Sequence, residues 1–180
     1  MDVNKEIESL KKQMAELKDS PEKNQLSMVV FSGDLDKLLA AFIIATGAVA
    51  MGLEVVMFFT FWATPALRKK KAKAKGKDFF GKMFGFMLPK GSTKVKLSRM
   101  NMGGMGTAMM KSLMKKKNVQ SLEQMIDLAA ELEVKIYICE MSMDLMGFKR
   151  EEMIDYPQRD FVGVATFLEK AGNSKIQLFI

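Results

Sequence analysis

Leu26-Ser27-Met28-Val29-Val30-Phe31-Ser32-Gly33-Asp34-Leu35-Asp36-Lys37 opens the stretch that decides the fold, which runs on to Val55-Val56-Met57-Phe58-Phe59-Thr60-Phe61. Leu26 to Phe31 is a short apolar run rich in β-favouring residues, closed by the polar turn Ser32-Gly33-Asp34. Asp34 is placed to cap a helix over Leu35 to Met51, because a short acceptor side chain before an apolar run satisfies free N–H groups of the first turn. Gly52 ends that helix, and Val55 to Phe61 follows as a second strand. Strand, helix and strand within so few residues predict a parallel pair joined by a right-handed crossover.

Sixteen uncharged residues, Leu38 to Leu53, sit inside this stretch. A membrane span is the competing reading. Gly47 and Gly52 punctuate the run, Glu54 interrupts it, and the composition changes from Ala, Ile and Leu to Val, Phe and Thr. Helix followed by buried strand explains that change better.

The same alternation continues downstream. The turn Met100-Asn101-Met102-Gly103-Gly104-Met105-Gly106 opens a helix with lysines in its last turn. Ser121 to Glu133 is a further helix, with Ser121 and Gln124 spaced as a capping box. Val134 to Cys139 is a strand, Ser142 to Phe148 one or two helical turns, Phe161 to Ala171 an amphipathic helix and Ile176 to Ile180 a last strand. The expected class is α/β, a three-layer αβα architecture with a mostly parallel sheet.

Two segments flank or interrupt this domain, which spans 25–180. Residues 1–20 carry Ile7, Leu10, Met14 and Leu17 at heptad spacing, so an N-terminal amphipathic helix is expected there. Residues 66–99 form a basic insertion of net charge +11, against +7 for the whole chain, which leaves −4 for the remainder. Within it, Phe79 to Leu88 is apolar and ends at Pro89.

Composition removes several chemistries. The 180 residues include no histidine and one cysteine. That excludes Ser-His-Asp and Cys-His catalysis, His-ligated zinc, an intramolecular disulfide, and a Cys-ligated cluster held by one chain. Mean hydropathy is 0.00, a globular value. The start is polar and mixed in charge, unlike a secretory signal, so a cytoplasmic location is expected. Methionine numbers 18. Thioethers are soft enough for Cu(I), but the methionines are spread along the chain and more commonly fill adaptable cores and interfaces, so no metal or cofactor is expected.

Cys139 is the one strong nucleophile, placed where a strand meets a helix N-terminus. The helix dipole favours thiolate there, while Glu140 and Asp144 oppose it. A lone Cys in this position is also commonly a small buried apolar residue. Ser32, Gly33 and Asp34 end the first strand on the same sheet edge, where backbone N–H groups can meet an anion. Asn101, Met102, Gly103 and Gly104 form a second turn through which backbone can approach a ligand, without a nucleotide-binding pattern.

These motifs, together with Phe58-Phe59-Thr60-Phe61-Trp62 and Cys139-x-Met141-Ser142-Met143-Asp144-x-Met146-Gly147, resemble the DsrE/DsrF/DrsH-like family from about Leu26 onward. The similar branch is the one described as peroxiredoxin-like or as DsrE-type sulfurtransferases. No resolving Cys or assisting His supports the first label. The resemblance implies a small oligomeric α/β protein that carries sulfane sulfur on Cys139 and passes it between donor and acceptor proteins. It implies that Met141, Ser142 and Met143 surround the transferred sulfur, and that Ser32, Gly33, Asn101 and Gly103 line the pocket. Turnover as a sulfurtransferase and stoichiometric carriage both fit it. Two other readings stay open on the residues: a membrane-associated interaction protein using 68–88, and a small-ligand-binding module. Nucleic acid is not an expected partner.

Overall fold

The computed structural model describes residues 23–70, 76 and 79–180. The heptad segment 1–20 and part of the lysine run lie outside the described residues.

Five strands form one sheet: β1 (Lys23–Val30), β2 (Glu54–Phe59), β3 (Lys135–Cys139), β4 (Arg159–Val162) and β5 (Ser174–Phe179), in the order β4-β3-β2-β1-β5. Every pairing is parallel, so the sheet is all-parallel rather than mostly so. Parallel strands covered on both faces bury successive residues, and β2 and β3 do so after their first residue. The helices are α1 (Leu35–Ala50), α2 (Phe79–Met87), α3 (Met105–Lys116), α4 (Leu122–Glu131), α5 (Glu140–Leu145) and α6 (Val164–Gly172).

The two faces of the sheet are packed unequally. One carries the main core, where Leu38, Phe42 and Ala45 of α1 and Met125 and Ala129 of α4 meet Met28, Met57, Phe59 and Ile136. The other holds a small cluster of Val56, Phe58, Tyr137 and Cys139 under Phe167 and Ala171 of α6. Near β1 and β5 that second face turns polar. Gln25 Nε2 donates to Ser27 Oγ at 2.9 Å and to Ser174 Oγ at 2.8 Å, joining the two strands beneath the end of α6.

The strand–helix–strand unit is as expected in kind, with edges moved by a few residues. Two expectations need correction. Phe161 belongs to β4 and not to the last helix, which starts at Val164. Asp34 occupies the cap position of α1 but makes no side-chain cap bond. The Leu35 amide at the first helical position donates to the Lys96 carbonyl at 2.8 Å, and the Asp34 carboxylate lies 3.5 Å from Lys37 Nζ. The Ser121–Gln124 capping box forms in both halves. No helix among the described residues is long and apolar enough to cross a membrane.

Candidate functional site

In a parallel sheet all strands end on one edge, and ligands meet open α/β sheets there. Val30, Phe59, Cys139 and Val162 end their strands on that edge. Cys139 is the last residue of β3 and the cap of α5, with 3 % of its surface exposed. It pairs in register with Val162 of β4. Two residues beyond Val162, α6 begins at Val164, with Gly163 at its cap position and no side-chain acceptor over its first turn. Phe167 stacks on Phe58 at 4.8 Å between ring centroids, so α6 is held over the cluster that contains the thiol.

The α5 backbone starts at Glu140, and Ser142 lies inside this helix. Ser142 is fully buried and its hydroxyl is engaged. It accepts from Phe61 N at 3.0 Å and pairs with the Thr60 hydroxyl at 2.8 Å. Its place in the structure is therefore to fasten α5 to the turn after β2. Met143 packs in the main core, whereas Met141 is exposed. Glu140, the acidic neighbour of Cys139, forms an ion pair with Arg150. The Arg150 guanidinium also lies 5.0 Å from the Phe161 ring centre, so the ion pair is packed against β4.

The turn after β1 sits two strands away from Cys139, with β2 between them. At about 4.8 Å per strand, that is roughly 10 Å along the edge. Its backbone is partly committed: Ser32 N donates to Ile180 O at 3.2 Å, and the Ser32 hydroxyl accepts from Lys37 at 3.1 Å. Gly33 is a packing requirement, because a Cβ there would stand 2.0 Å from the Trp62 carbonyl oxygen. That contact locks the β1 turn against the β2 turn.

The third predicted element joins the same edge through α1. Asp36 accepts from Ser98 N and Oγ at 2.9 and 2.6 Å. Burial pushes the Asp36 carboxyl upward, but the Ser98 hydroxyl and amide outweigh it and hold it below the ordinary value. Thr107 then links Leu97 N to the Asn101 side chain, and Asn101 O accepts from Gly104 N and Gly106 N. Met102, Gly103 and Gly104 all have positive φ, so this is a tight, self-bonded turn with Met102 exposed. The Cys139 side chain packs with Val56, Phe58, Tyr137, Phe167 and Ala171, while Ser142, three residues on, is bonded to Thr60 and Phe61, and Arg150 to Glu140; Ser32–Asp34 belongs to the turn two strands away, and Asn101–Gly104 forms a separate turn before α3. Thr60, Trp62 and Arg150 were missed as site residues. Thr60-Phe61-Trp62 is recognisable as a motif, while nothing in the spacing of Arg150 announces its position. Among the described residues, no group of three or more Cys, Asp or Glu could hold a metal ion.

The model of the DsrE/DsrF/DrsH-like family matches residues 22–179. The uncharacterized protein YrkE of Bacillus subtilis strain 168 is 47 % identical over 154 residues, covering 86 % of this chain and 95 % of that protein. The sulfur carrier protein DsrE2 of Allochromatium vinosum is 37 % identical over 166 residues, covering 88 % of this chain and 99 % of its own. Among solved structures, the YchN protein of E. coli superposes with a TM-score of 0.49 at 10 % identity, over 87 % of this chain and 99 % of YchN.

Proposed function

The chain belongs to the DsrE/DsrF/DrsH-like family, and from that premise we propose that it is a sulfur-relay protein carrying sulfane sulfur on Cys139. The observation that carries the reading is the lone thiol at the carboxyl end of a parallel strand, at the cap of α5 and beside the uncapped start of α6. The relative named as a sulfur carrier gives the cargo.

The chemistry needs no external oxidant. The Cys139 thiolate attacks the outer sulfur of a persulfide or polysulfide. A new S–S bond forms at Cys139, the donor S–S bond breaks, and the donor leaves as a thiolate. An acceptor thiolate then attacks the outer sulfur, and Cys139 is released as a thiolate. With tetrathionate the same attack leaves a thiosulfonate group on Cys139 and expels thiosulfate. Because Cys139 is buried, transfer requires the first turn of α6 to lift. Phe167 and Ala171 of α6 pack in the cluster that holds Cys139, and Gly163, Val164 and Ala165 at the start of that helix are exposed.

The relay reading also implies donor and acceptor proteins, a reducing compartment that keeps the thiol free, and self-association. The edge strand β5, with Ile176 and Phe179 exposed, supports the last of these. The test is intact mass of wild type and Cys139→Ser after incubation with polysulfide or tetrathionate, before and after reductant. The expected result is a reductant-reversible gain in the wild type alone. An unmodified wild type, or an equal gain in Cys139→Ser, would remove Cys139 as the carrier.

A further inference from the structure

The helix α2 is oriented the wrong way round for a soluble protein. At about 100° per residue, Phe79, Phe80, Met83, Phe86 and Met87 share an arc of about 120°. That arc points to water: Phe79 is 75 %, Phe80 60 %, Phe86 84 % and Met87 68 % exposed. On the opposite side are Gly81 and Gly85, and Gly81 is buried. The small residues let the helix lie against the body of the protein, with Phe84, partly buried, at the border of the two sides. Single exposed apolar residues are ordinary, but four on one helical face, with the half-buried Met83 among them, are a binding surface.

The surroundings of this face have one sign of charge. A groove of about 620 Å³ beside α2 is lined by Lys70, Phe86, Lys90, Lys94 and Lys96, with Asp34 as its one acidic residue. Asp34 is already within 3.5 Å of Lys37. Lys70, Lys82, Lys90, Lys94 and Lys96 are exposed and form no ion pair among the described residues. The sequence adds Lys71, Lys73, Lys75 and Lys77 immediately before the helix.

We propose that α2 and its lysine collar form a peripheral docking surface for an anionic phospholipid bilayer, with the Phe79–Met87 face at the depth of the acyl boundary and the lysines at the headgroups. Two observations favour a lipid surface over an acidic protein. The apolar arc contains no polar group to give a protein partner directional contacts. The charges are long, unpaired ammonium groups, which suit a diffuse layer of phosphates as point charges. The proposal stands whether or not Cys139 carries sulfur.

Vesicle flotation of the full chain tests it. Phosphatidylcholine vesicles containing roughly a third phosphatidylglycerol should carry the protein up, and pure phosphatidylcholine should not. Binding should fall steeply between about 0.01 M and about 1 M salt, as the screening length shrinks from about 30 Å to about 3 Å. Each lysine near such a surface contributes about fivefold, so Lys90→Gln/Lys94→Gln/Lys96→Gln should weaken binding roughly a hundredfold. Phe79→Ser/Phe86→Ser alters two side chains already in water, so its fold is expected to survive, and it should float far less than wild type. Absence of flotation on anionic vesicles at low salt overturns the proposal, as does equal flotation of the serine variant. If vesicles are ignored and the serine variant instead loses a self-association seen for wild type, the face is a protein interface and the lipid assignment is wrong.

Discussion

Replacing Phe167 by Ala should unmask Cys139 far more than it unfolds the protein. Phe167 is 4 % exposed and stacks on Phe58 with an interplanar angle of 12°, in the small cluster that contains the thiol. Truncating a buried Phe to Ala removes about 3–5 kcal/mol. The lower end applies here, because Val164 and Leu168 on the same helix are more than half exposed and the site can relax toward water. If about 3 kcal/mol is lost from the docking of α6, the open population of that helix rises about a hundredfold, at 1.36 kcal/mol per decade. The assay is the rate of iodoacetamide labelling of Cys139 in native buffer, followed by intact mass. The control is Leu38→Ala, which removes a residue 1 % exposed in the main core on the opposite face. It lowers global stability by about 2–5 kcal/mol without touching the cover of Cys139. Acceleration in Phe167→Ala and little change in Leu38→Ala is the expected pattern. Equal acceleration in both, or none in Phe167→Ala, would refute the idea that α6 gates the thiol.

Three further outcomes follow from single contacts. Gly33→Ala forces a Cβ to within 2.0 Å of the Trp62 carbonyl, so two turns must separate; urea unfolding should show a loss of about 1–3 kcal/mol, and an unchanged midpoint would contradict the close approach. Glu152→Gln leaves Arg68, itself 4 % exposed and 3.2 Å from the Glu152 carboxylate, as an uncompensated buried cation; a stability loss of about 3–5 kcal/mol is expected by the same measurement. Burial pushes the Tyr156 phenol well above its ordinary 10.0, and its hydroxyl donates to Val134 O at 2.7 Å. A raised acid keeps its stabilising effect below the unfolded pKa and loses it as pH climbs beyond, so wild type should lose stability above about pH 10, and Tyr156→Phe should flatten that part of the pH profile.

The legible parts of the sequence are those where local chemistry and tertiary packing agree. Leu26–Phe31 is apolar because β1 is covered on both faces, and Ser121 with Gln124 reads as a capping box because nothing in the fold competes for those groups. Less legible are the places where a partner distant in sequence decides a group's contacts. Asp34 has the chemistry of a helix cap, but it makes no cap bond and its carboxylate lies 3.5 Å from Lys37 Nζ. The Ser142 hydroxyl is expected beside the nucleophile, and its bonding partners Thr60 and Phe61 lie 82 and 81 residues earlier in the chain. The strand β4 was overlooked because it is an edge strand beginning Arg159-Asp160, with the pattern of neither a buried nor an amphipathic strand. The methionine excess divides as its adaptability suggests. Met28, Met57, Met143, Met146 and Met153 fill the core, and Met100, Met102, Met105 and Met109 face outward from the Gly103 turn and α3.

The pairing of β1 with β5 also sets an order of events during synthesis. Ser27 and Ser174 meet across 147 residues, so the first strand cannot complete its outer ladder until almost the whole domain has left the ribosome. Until then β1 is a sheet edge, offering free backbone groups and the buried-to-be amide of Gln25 to any neighbouring chain. Its other partner arrives much sooner, because β2 follows after one helix. A nascent chain therefore passes through a stage with β1–α1–β2 formed and one flank unpaired, and truncation before Ser174 would hold it there.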